Sequence, residues 1–388
     1  MNILFISFDA DPPHMGGTST VVNVLAKDLK QRGYNVYLGY YNDSRYPSTF
    51  FQEKIKLTIS NKKSIEAFCK DNPIDIIYNT QPIGTNWELL KEVFPKAKII
   101  SAYHNRPLLR YFPLESLMNI YYDSNNWIHK IYTLAKIPLL PYWRYKSKKK
   151  EMKQYKNMEK YSDKIQLLSP QFIPVFKKIL PNISNNKLIA IENPIVFNTT
   201  YPVENISSKQ KRIVVVCSTN YQKRAYLMIK IWNEIEKDGH FDDWSFDFVG
   251  GGEGFKHITQ MAIKLKLKRI HFVGYQQPEN YYRQGSIFLM TSRFEGWPMV
   301  LMEAMQMGVV PIVFNSFESL TDIITDKENG FIIPNNNIKY FVERLKTLIA
   351  NDDLRNRMAV KTIESCQRFT TEKITNKYIS LFKELYLS

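Results

Sequence analysis

Cysteine is scarce in this chain of 388 residues. The three cysteines, Cys69, Cys217 and Cys366, lie far apart and form no CxxC pair. This scarcity argues against a disulfide framework and a cysteine-rich zinc site, and it fits a reducing compartment. No apolar run approaches the ~20 residues of a transmembrane helix. Residues 1–14 carry no basic segment before their apolar stretch, so we expect a first β-strand there and not a signal peptide.

Acidic residues are outnumbered by basic ones. The sequence has 53 Lys and Arg against 37 Asp and Glu, and its formal charge is +16. Most of the excess lies in residues 1–193, which hold 28 basic and 16 acidic residues. Such an excess fits a polyanionic partner, which is membrane lipid, nucleic acid or a phosphorylated substrate. The alternative is a basic composition with no partner.

Short apolar stretches alternate with helical patterns along both halves of the chain. This order predicts the α/β class, with parallel sheets built from βαβ units in two doubly wound, Rossmann-like domains. Ligands bind such sheets at the carboxyl ends of the strands, and the cleft between the two domains is the expected site. We expect strands at residues 2–8, 35–41, 74–79, 98–103, 164–169, 212–217, 245–249, 270–273, 287–291 and 309–314, and helices at residues 21–30, 223–237, 298–307 and 339–349.

Changes in composition predict where the domains divide. Residues 1–193 form the first domain, with a basic, aromatic, helical insertion at 105–163. Residues 194–210 have little periodicity and contain Asn, Thr, Ser and Pro, which predicts a linker. Residues 211–370 form the second domain, and residues 371–388 form a last helix.

Two glycines follow the first strand. Gly16 and Gly17 permit a ligand to approach the backbone, and the helix that begins after them offers free N–H groups to an anion. The spacing is neither GxGxxG nor a P-loop, so neither nucleotide fingerprint is present. Asp9 and Asp11 form a DxD-like pair, but no further metal ligands lie nearby, and we expect no metal.

Two other strand ends carry candidate side chains. His104 follows a strand and is suited to a hydrogen bond with a substrate hydroxyl or phosphate; the alternative is a packed histidine. Lys223 and Arg224 follow a strand of the second domain, where two cations suit the phosphates of a nucleotide. The alternative for these two residues is a surface charge pair.

The strongest signal is SRFEGWPMVLMEAMQMG, residues 292–308. Pro298 suits the first position of a helix, and Glu295 precedes that helix. Glu303 lies within the helix among apolar residues, where a carboxylate needs a partner. A pair of sugar hydroxyls is a good partner because a carboxylate accepts two hydrogen bonds. The alternative is a buried glutamate bonded to backbone or to a lysine.

With these residues the chain resembles the retaining glycosyltransferases of family 4, of the bacterial polysaccharide-biosynthesis type. The segment from Glu295 to Glu303 is similar to the E-x7-E motif of that family. The resemblance implies the GT-B fold, in which two Rossmann-like domains face each other across a cleft and the C-terminal helix returns to the first. The other similar features are Gly16-Gly17, His104, Asn193-Pro194, residues 249–254 and residues 328–331.

The resemblance also implies roles for single residues. Glu303 binds the ribose, Glu295 contacts the donor sugar, and Lys223 neutralises the diphosphate. The Gly16-Gly17 loop approaches the donor phosphate and the acceptor, and His104 lies beside the transferred sugar. The implied catalytic residues are His104, Lys223 and Glu295, and the implied donor-binding residues are Gly16, Gly17, Lys223, Arg224, Glu295, Gly296, Trp297, Pro298, Met299 and Glu303.

The sequence departs from the family at two places. Ser218 stands where many members have an arginine on the diphosphate, and Arg224 stands where glycine is frequent. Either Arg224 compensates for Ser218 or diphosphate binding is weaker. Residues 315–320 replace a glycine-rich stretch, as in a subset of bacterial polysaccharide transferases, and this replacement alters the expected donor-sugar pocket.

The expected reaction moves a sugar from a UDP- or GDP-linked donor to a glycan or a polyprenyl-diphosphate-linked oligosaccharide, in the synthesis of capsule, O-antigen or exopolysaccharide. No cofactor or metal is expected. The basic aromatic insertion is the expected contact for acceptor and anionic membrane, as a peripheral protein on the cytoplasmic face of the inner membrane. A solvated insertion is the alternative. The residues expected to make this contact are Trp127, Tyr142, Trp143, Arg144, Lys148, Lys149 and Lys150.

Three other functions are compatible with parts of this pattern. A sugar-nucleotide epimerase of the same fold holds a nucleotide but needs no acceptor. A nucleic-acid-binding protein explains the charge, but the sequence has no RNP-like, helix-turn-helix or zinc pattern, and we expect no nucleic-acid partner. A catalytically inactive scaffold accounts for Ser218.

Overall fold

The computed structural model describes residues 1–9, 17–43, 50–107, 117, 121 and 126–387. The chain divides into two compact units. The first comprises Met1–Tyr111, Lys146–Val196 and Phe369–Ser388, and the second comprises Phe112–Tyr145 and Phe197–Arg368.

The first unit is built on a seven-stranded sheet in which every pairing is parallel. The strands are β1 (Asn2–Asp9), β2 (Asn35–Asn42), β3 (Lys54–Lys56), β4 (Ile76–Asn79), β5 (Lys98–Tyr103), β6 (Lys164–Leu167) and β7 (Leu188–Ala190). Their order in the sheet is β3-β2-β1-β4-β5-β6-β7. The order reverses direction beside β1, so the carboxyl ends of β1 and β4 form a switch point at which a ligand site is expected.

The helices of the first unit cover its sheet with their apolar faces. They are α1 (Gly17–Gln31), α2 (Lys62–Asp71), α3 (Trp87–Val93), α5 (Leu140–Tyr161), of which the residues from Lys146 onward belong to this unit, α6 (Phe172–Ile179) and α14 (Thr371–Leu387). The last helix packs against α1, as the predicted fold requires. Its inner face buries Tyr378, Leu381 and Phe382.

The second unit has a six-stranded parallel sheet in the order β10-β9-β8-β11-β12-β13. The strands are β8 (Arg212–Val216), β9 (Ser245–Val249), β10 (Ile270–Gly274), β11 (Ile287–Met290), β12 (Val310–Asn315) and β13 (Phe331–Pro334). The helices are α4 (Trp127–Ala135), α7 (Ala225–Glu236), α8 (Phe255–Lys264), α9 (Glu279–Gln284), α10 (Met299–Gln306), α11 (Leu320–Ile323), α12 (Ile338–Ala350) and α13 (Asp352–Cys366). Here the switch point lies between β8 and β11.

The predicted class is confirmed, since each unit is a doubly wound parallel sheet. The three-residue strands β3 and β7 were not predicted because they are too short for a periodic pattern, and the four-residue strand β13 was also missed. The segment predicted as a linker contains a 3-10 helix, Val203–Ser208, and its Ile206 is buried in the core of the second unit. Chain direction and strand order thus bring the loops after β8 and β11 to one edge of the second sheet.

Candidate functional site

Two loops at the carboxyl edge of the second sheet carry the predicted donor-binding residues of this unit that precede α10. Strands β8 and β11 pair directly, so the loop that follows β8 and the loop that follows β11 leave the sheet side by side. The main-chain N–H of Arg293 donates to the carbonyl oxygen of Gln222 at 2.8 Å and joins the two loops. The geometry of the switch point therefore unites residues from two distant parts of the sequence.

Lys223 and Glu295 meet in this edge. The Nζ atom of Lys223 lies 2.6 Å from Oε1 of Glu295, and the side chains are 17% and 8% exposed. Gln222 donates from Nε2 to the second carboxylate oxygen of Glu295 at 3.2 Å and to the carbonyl oxygen of Phe294 at 2.9 Å. The predicted diphosphate cation and the predicted sugar-binding carboxylate therefore neutralise each other.

Glu303 is half-buried in α10, one face of which packs into the unit. The hydroxyl of Tyr282 is directed to Oε2 of Glu303 at 3.4 Å and to the carbonyl oxygen of Val300 at 3.2 Å. Burial raises the pKa of Glu303 to about 7, and the hydrogen bond from Tyr282 opposes that rise. The partner of Glu303 is thus a tyrosine, and neither a lysine nor a backbone group among the described residues.

The start of α10 differs from the prediction by one position. Pro298 is the N-cap and not the first helical residue, and its carbonyl oxygen accepts from Leu301 at 3.1 Å. The carbonyl oxygen of Gly296 accepts from the hydroxyl of Ser319 at 2.7 Å, which holds the turn against the segment that replaces the expected glycine-rich stretch. Trp297 and Met299 are buried. The turn from Glu295 into α10 is therefore held by Ser319, in the segment that follows β12.

Arg224 is placed differently from our prediction of a cation that faces phosphates. It adopts a left-handed conformation with φ of 51° just before α7, and only 2% of it is exposed. Its guanidinium donates to the carbonyl oxygen of Ser292 at 2.7 Å, to Oδ1 of Asn336 at 2.5 Å and to Oδ1 of Asn335 at 2.9 Å. It also donates to the carbonyl oxygen of Thr291. These four acceptors hold the guanidinium inside the unit.

Sequence reasoning missed several residues of this edge. The Arg293 guanidinium lies 3.9 Å from the centre of the Tyr221 ring, and Gln222, Tyr282 and Ser319 make the contacts described above. Of these residues, only Arg293 could have been suspected from the sequence, because it is a cation within the segment 292–308.

The glycines after β9 are required by packing. A Cβ on Gly250 would lie 2.1 Å from the carbonyl oxygen of Cys217, and one on Gly254 would lie 2.3 Å from that of Thr219. Gly250 and Gly252 also have φ of 126° and 120°. This glycine stretch therefore lets its backbone lie directly against the segment that leads to Lys223.

The first unit holds His104, at the end of β5. Its Nε2 lies 3.4 Å from the hydroxyl oxygen of Tyr78, which lies 2.9 Å from the hydroxyl oxygen of Tyr378. Burial lowers the pKa of His104 to about 4, so the imidazole is neutral near pH 7. A small pocket adjoins it, lined by Thr80, Gln81, Pro82, Ile83, Ala102, Tyr103, His104 and Asn105.

The hydrogen-bond network around this histidine is buried. Gln166 donates its amide N–H groups to the carbonyl oxygens of Leu167 and Ile191, so its Oε1 is an acceptor for the Tyr78 hydroxyl at 3.2 Å. Buried Nδ1 of His104 has no hydrogen-bond partner in the described part of the chain. It is suited to a hydroxyl donor.

The other candidate residues predicted near the first strand lie at positions 9 to 17. Gly16 and Asp11 lie outside the described residues. Gly17 is exposed and begins α1, and Asp9 ends β1. Within the ranges that the structure describes, no three His, Cys, Asp or Glu side chains gather as a metal site would require.

The basic aromatic segment is helical and exposed. Trp127 is 69% exposed, and Tyr142 and Trp143 are also exposed. The predicted basic residues Arg144, Lys148, Lys149 and Lys150 are exposed on α5. No helix in the described ranges combines the length and the apolar character that a bilayer crossing needs.

Part of the chain is similar to a known protein family and to curated proteins. Residues 197–365 match the family model of the glycosyl transferases group 1. An uncharacterized glycosyltransferase of Haemophilus influenzae is 28% identical over 196 residues, which are 50% of this chain and 54% of that protein. The amylovoran biosynthesis glycosyltransferase AmsD of Erwinia amylovora is 29% identical over 172 residues, 44% of this chain and 47% of that protein. The chain thus spans about half the length of these curated relatives.

The fold also has solved counterparts. The Anabaena HepE protein, solved in complex with UDP, superposes with a TM-score of 0.73 at 14% identity and covers 99% of this chain and 100% of its own. The chain therefore has two parallel-sheet units of the GT-B glycosyltransferase fold, and its residues 197–365 match the family model of the glycosyl transferases group 1.

Proposed function

We propose that this chain is a retaining glycosyltransferase that moves a sugar from a UDP- or GDP-linked donor to a glycan or lipid-linked oligosaccharide. The proposal places it in the synthesis of a bacterial surface polysaccharide. Relatives named for amylovoran biosynthesis and for poly(glycerol-phosphate) glucosylation, together with neighbours solved with UDP, support this substrate class. A relative named as acting on a diNAcBac-PP-undecaprenol glycan supports the lipid-linked acceptor.

The observation that carries the proposal is the pairing of Lys223 with Glu295 at the carboxyl edge of the second sheet. Lys223 and Glu295 lie 2.6 Å apart and are each other's partner. When the donor binds, Lys223 pairs with the diphosphate instead, and Glu295 accepts hydrogen bonds from sugar hydroxyls. Half-buried Glu303 follows on the same loop and helix, with one oxygen, Oε1, that receives no hydrogen bond from the described residues. That oxygen is available for a ribose hydroxyl.

In the proposed reaction the bond between the anomeric carbon and the diphosphate oxygen breaks. A bond from that carbon to the acceptor oxygen forms on the same face, and the acceptor proton passes to the departing phosphate. The products are the extended glycan and a nucleoside diphosphate. Lys223 stabilises the charge that develops on the leaving group, so the proposal requires no metal ion. Neutral His104 accepts a hydrogen bond at Nδ1 from a hydroxyl of the transferred sugar, and no proton is transferred to it.

Binding of UDP and GDP, measured by calorimetry, tests the donor site. One of the two should bind the wild-type chain, and Glu303→Ala should weaken that binding by roughly tenfold, since a ribose hydrogen bond to a carboxylate is lost. Glu364→Ala is the matched control, because Glu364 is an exposed helical carboxylate paired only with Lys361. Equal binding by the wild type and the Glu303 variant would contradict the assignment of the ribose site.

Turnover distinguishes the proposed reaction from its alternative. The donor sugar should be transferred to an acceptor, or slowly to water, in the presence of a chelator. Release of an altered sugar nucleotide without acceptor would instead identify an epimerase.

We also propose that the segment from Trp127 to Lys150 binds the anionic surface of the cytoplasmic membrane leaflet. Its residues include seven Lys and Arg and no Asp or Glu. Each basic residue near an anionic leaflet contributes about 1 kcal/mol. Ten large apolar side chains in the same segment are exposed: Trp127, Ile128, Ile131, Tyr132, Leu134, Ile137, Leu139, Tyr142, Trp143 and Tyr145. A surface that is both apolar and basic matches the interface of an anionic bilayer.

Co-sedimentation with phosphatidylcholine vesicles, with and without phosphatidylglycerol, tests this surface. Binding should require phosphatidylglycerol and should fall when Trp127 and Ile131 are replaced by Ser. Ile263→Ser is the matched control, because Ile263 is a 75% exposed apolar residue on α8. Binding that ignores the anionic lipid, or that survives the double substitution, would overturn the membrane proposal.

A further inference from the structure

Arg224 occupies a conformation that normally belongs to glycine. Its φ of 51° lies in the left-handed region, which is disfavoured for a residue with a side chain. A buried guanidinium is also strongly disfavoured unless its charge is compensated. Both costs fall on one residue at the donor edge, which is the carboxyl edge of the second sheet with the loops after β8 and β11. The side chain of Arg224 must therefore make an interaction that glycine cannot make.

All acceptors of Arg224 are electrically neutral. They are the carbonyl oxygens of Thr291 and Ser292 and the amide oxygens of Asn335 and Asn336. Phe314 lies beneath the guanidinium at 5.1 Å. Among the residues that the structure describes, no carboxylate oxygen lies within 4.0 Å of it. Each guanidinium nitrogen therefore donates a hydrogen bond, but the positive charge has no anionic partner among these residues.

The other buried arginine of the second unit shows the contrast. Arg355 donates to the carbonyl oxygen of Leu348 and lies 5.0 Å from the ring of Trp244, but it also pairs with Asp352 at 2.5 Å. Its charge is compensated by a carboxylate. Arg224 has the same ring contact and the same kind of carbonyl contact, but it has no anion.

The surroundings of Arg224 increase this imbalance. Residues 218–226 and 291–299 hold three cations and one carboxylate. Lys223 takes that carboxylate, which leaves Arg224 and Arg293 uncompensated. Burial, and then the neighbouring Arg293, lower the pKa of Arg224 to about 10, as expected for a cation without an anionic partner. These two segments thus carry a net charge of two before any ligand binds.

We propose that Arg224 is a positioning residue that attracts the donor diphosphate through its uncompensated charge, without contacting it. This inference rests on the proposed function and names the source of the second positive charge in a chain that has Ser218 in its binding loop. The charge acts through the low-dielectric interior, where it is screened less than a surface charge. The same side chain ties the loop after β13 to the loop after β11, and this keeps Ser292 to Glu295 in place.

Asn336→Asp tests the charge without removing the arginine. The substitution adds a carboxylate where Oδ1 already lies 2.5 Å from Nη1, and aspartate tolerates the φ of 66° at this position. If the free charge attracts the diphosphate, affinity for UDP or GDP should fall by about tenfold, while affinity for the matching nucleoside stays unchanged. Arg224→Gln should show the same selective loss.

Asn337→Asp is the matched control. It adds the same charge one residue later, where the side chain caps α12 through the N–H of Tyr340 and does not contact Arg224. Its diphosphate affinity should equal that of the wild type. Thermal unfolding of each variant records whether the fold is retained.

The outcomes separate this inference from the proposed function. A parallel loss of nucleoside and diphosphate affinity, or no loss in Asn336→Asp, would overturn the role of Arg224. If the wild type binds neither UDP nor GDP, the proposed donor is wrong, and titration with inorganic pyrophosphate then decides the inference. Weaker pyrophosphate binding by Asn336→Asp than by Asn337→Asp supports it, and equal binding overturns it.

Discussion

The Nζ atom of Lys223 lies 2.6 Å from Oε1 of Glu295, although 72 residues separate the two in the sequence. Each of these groups is the other's partner, so any diphosphate must compete with Glu295 for Lys223. This competition has a direct consequence for binding.

Glu295→Gln should therefore strengthen the binding of a sugar-free nucleoside diphosphate. The amide keeps the shape of the side chain but frees the Lys223 charge, and a gain of roughly tenfold is expected from a charge-assisted hydrogen bond. Sugar transfer should fall, because the carboxylate that is proposed to contact the donor sugar is gone. Calorimetry with UDP and GDP measures the first effect, and a transfer assay measures the second. Weaker diphosphate binding by the variant would show that Lys223 does not depend on Glu295 in this way.

Stability should depend on pH through Glu303. Its pKa is raised from 4.5 to about 7, so the folded state favours the protonated form. The contribution of Glu303 to stability is fully present below pH 4.5 and is lost as pH rises through 7. Glu303→Gln should remove this loss and stabilise the protein at pH 8 by roughly 1–3 kcal/mol relative to the wild type.

Urea unfolding of the wild type and the variant at pH 5 and pH 8 measures the difference. Tyr282→Phe is a useful companion, since it removes the hydroxyl that is directed to Glu303. If the wild type and Glu303→Gln differ in stability by the same amount at pH 5 and at pH 8, the raised pKa of Glu303 is contradicted.

His104 predicts the opposite dependence on pH. Burial lowers its pKa from 6.5 to about 4, so the folded state favours the neutral ring. Its contribution to stability is present above pH 6.5 and is lost as pH falls toward 4. His104→Gln should therefore be less sensitive to acid than the wild type, by an amount on the order of 3 kcal/mol at pH 4. Unfolding curves between pH 4 and pH 7 test this, and parallel curves for both proteins would contradict it.

The packing of the glycine loop gives a prediction about stability alone. Gly250→Ala would place a Cβ 2.1 Å from a backbone oxygen at φ of 126°, and it should destabilise the protein by about 3 kcal/mol or more. Gly239→Ala is the matched control, because no atom lies within 4 Å of its Cβ position. Thermal unfolding compares the two, and equal effects would show that the close approach is not rigid.

Much of the fold could be predicted because it depends on local pattern. Alternating apolar strands and amphipathic helices identify the βαβ order, and β9 was predicted at its observed bounds, Ser245–Val249. The three-residue strands β3 and β7 escaped because their apolar character has no room to repeat. The segment from Glu295 to Glu303 could be named as a candidate site because its residues are close together in the sequence.

The adjacent cations Lys223 and Arg224 show where the sequence alone stops. Both were predicted to face phosphates, but the side chain of Arg224 is buried inside the unit. Neither propensity nor charge distinguishes two neighbouring basic residues. The hydrogen bonds that distinguish Arg224 from Lys223 come from residues up to 112 positions away, of which Asn336 is the most distant.

The sequence by itself determined the α/β class, the order of the elements and the residue types of the candidate site, because each depends on neighbours within one turn or one strand. Tertiary structure alone decided which charges are paired and which side chains surround His104. Tyr78, which lies 3.4 Å from Nε2 of His104, meets Tyr378 from 300 residues away. Charge compensation and buried contacts depend on distances in space, and those distances exist only once the sheets have brought remote segments together.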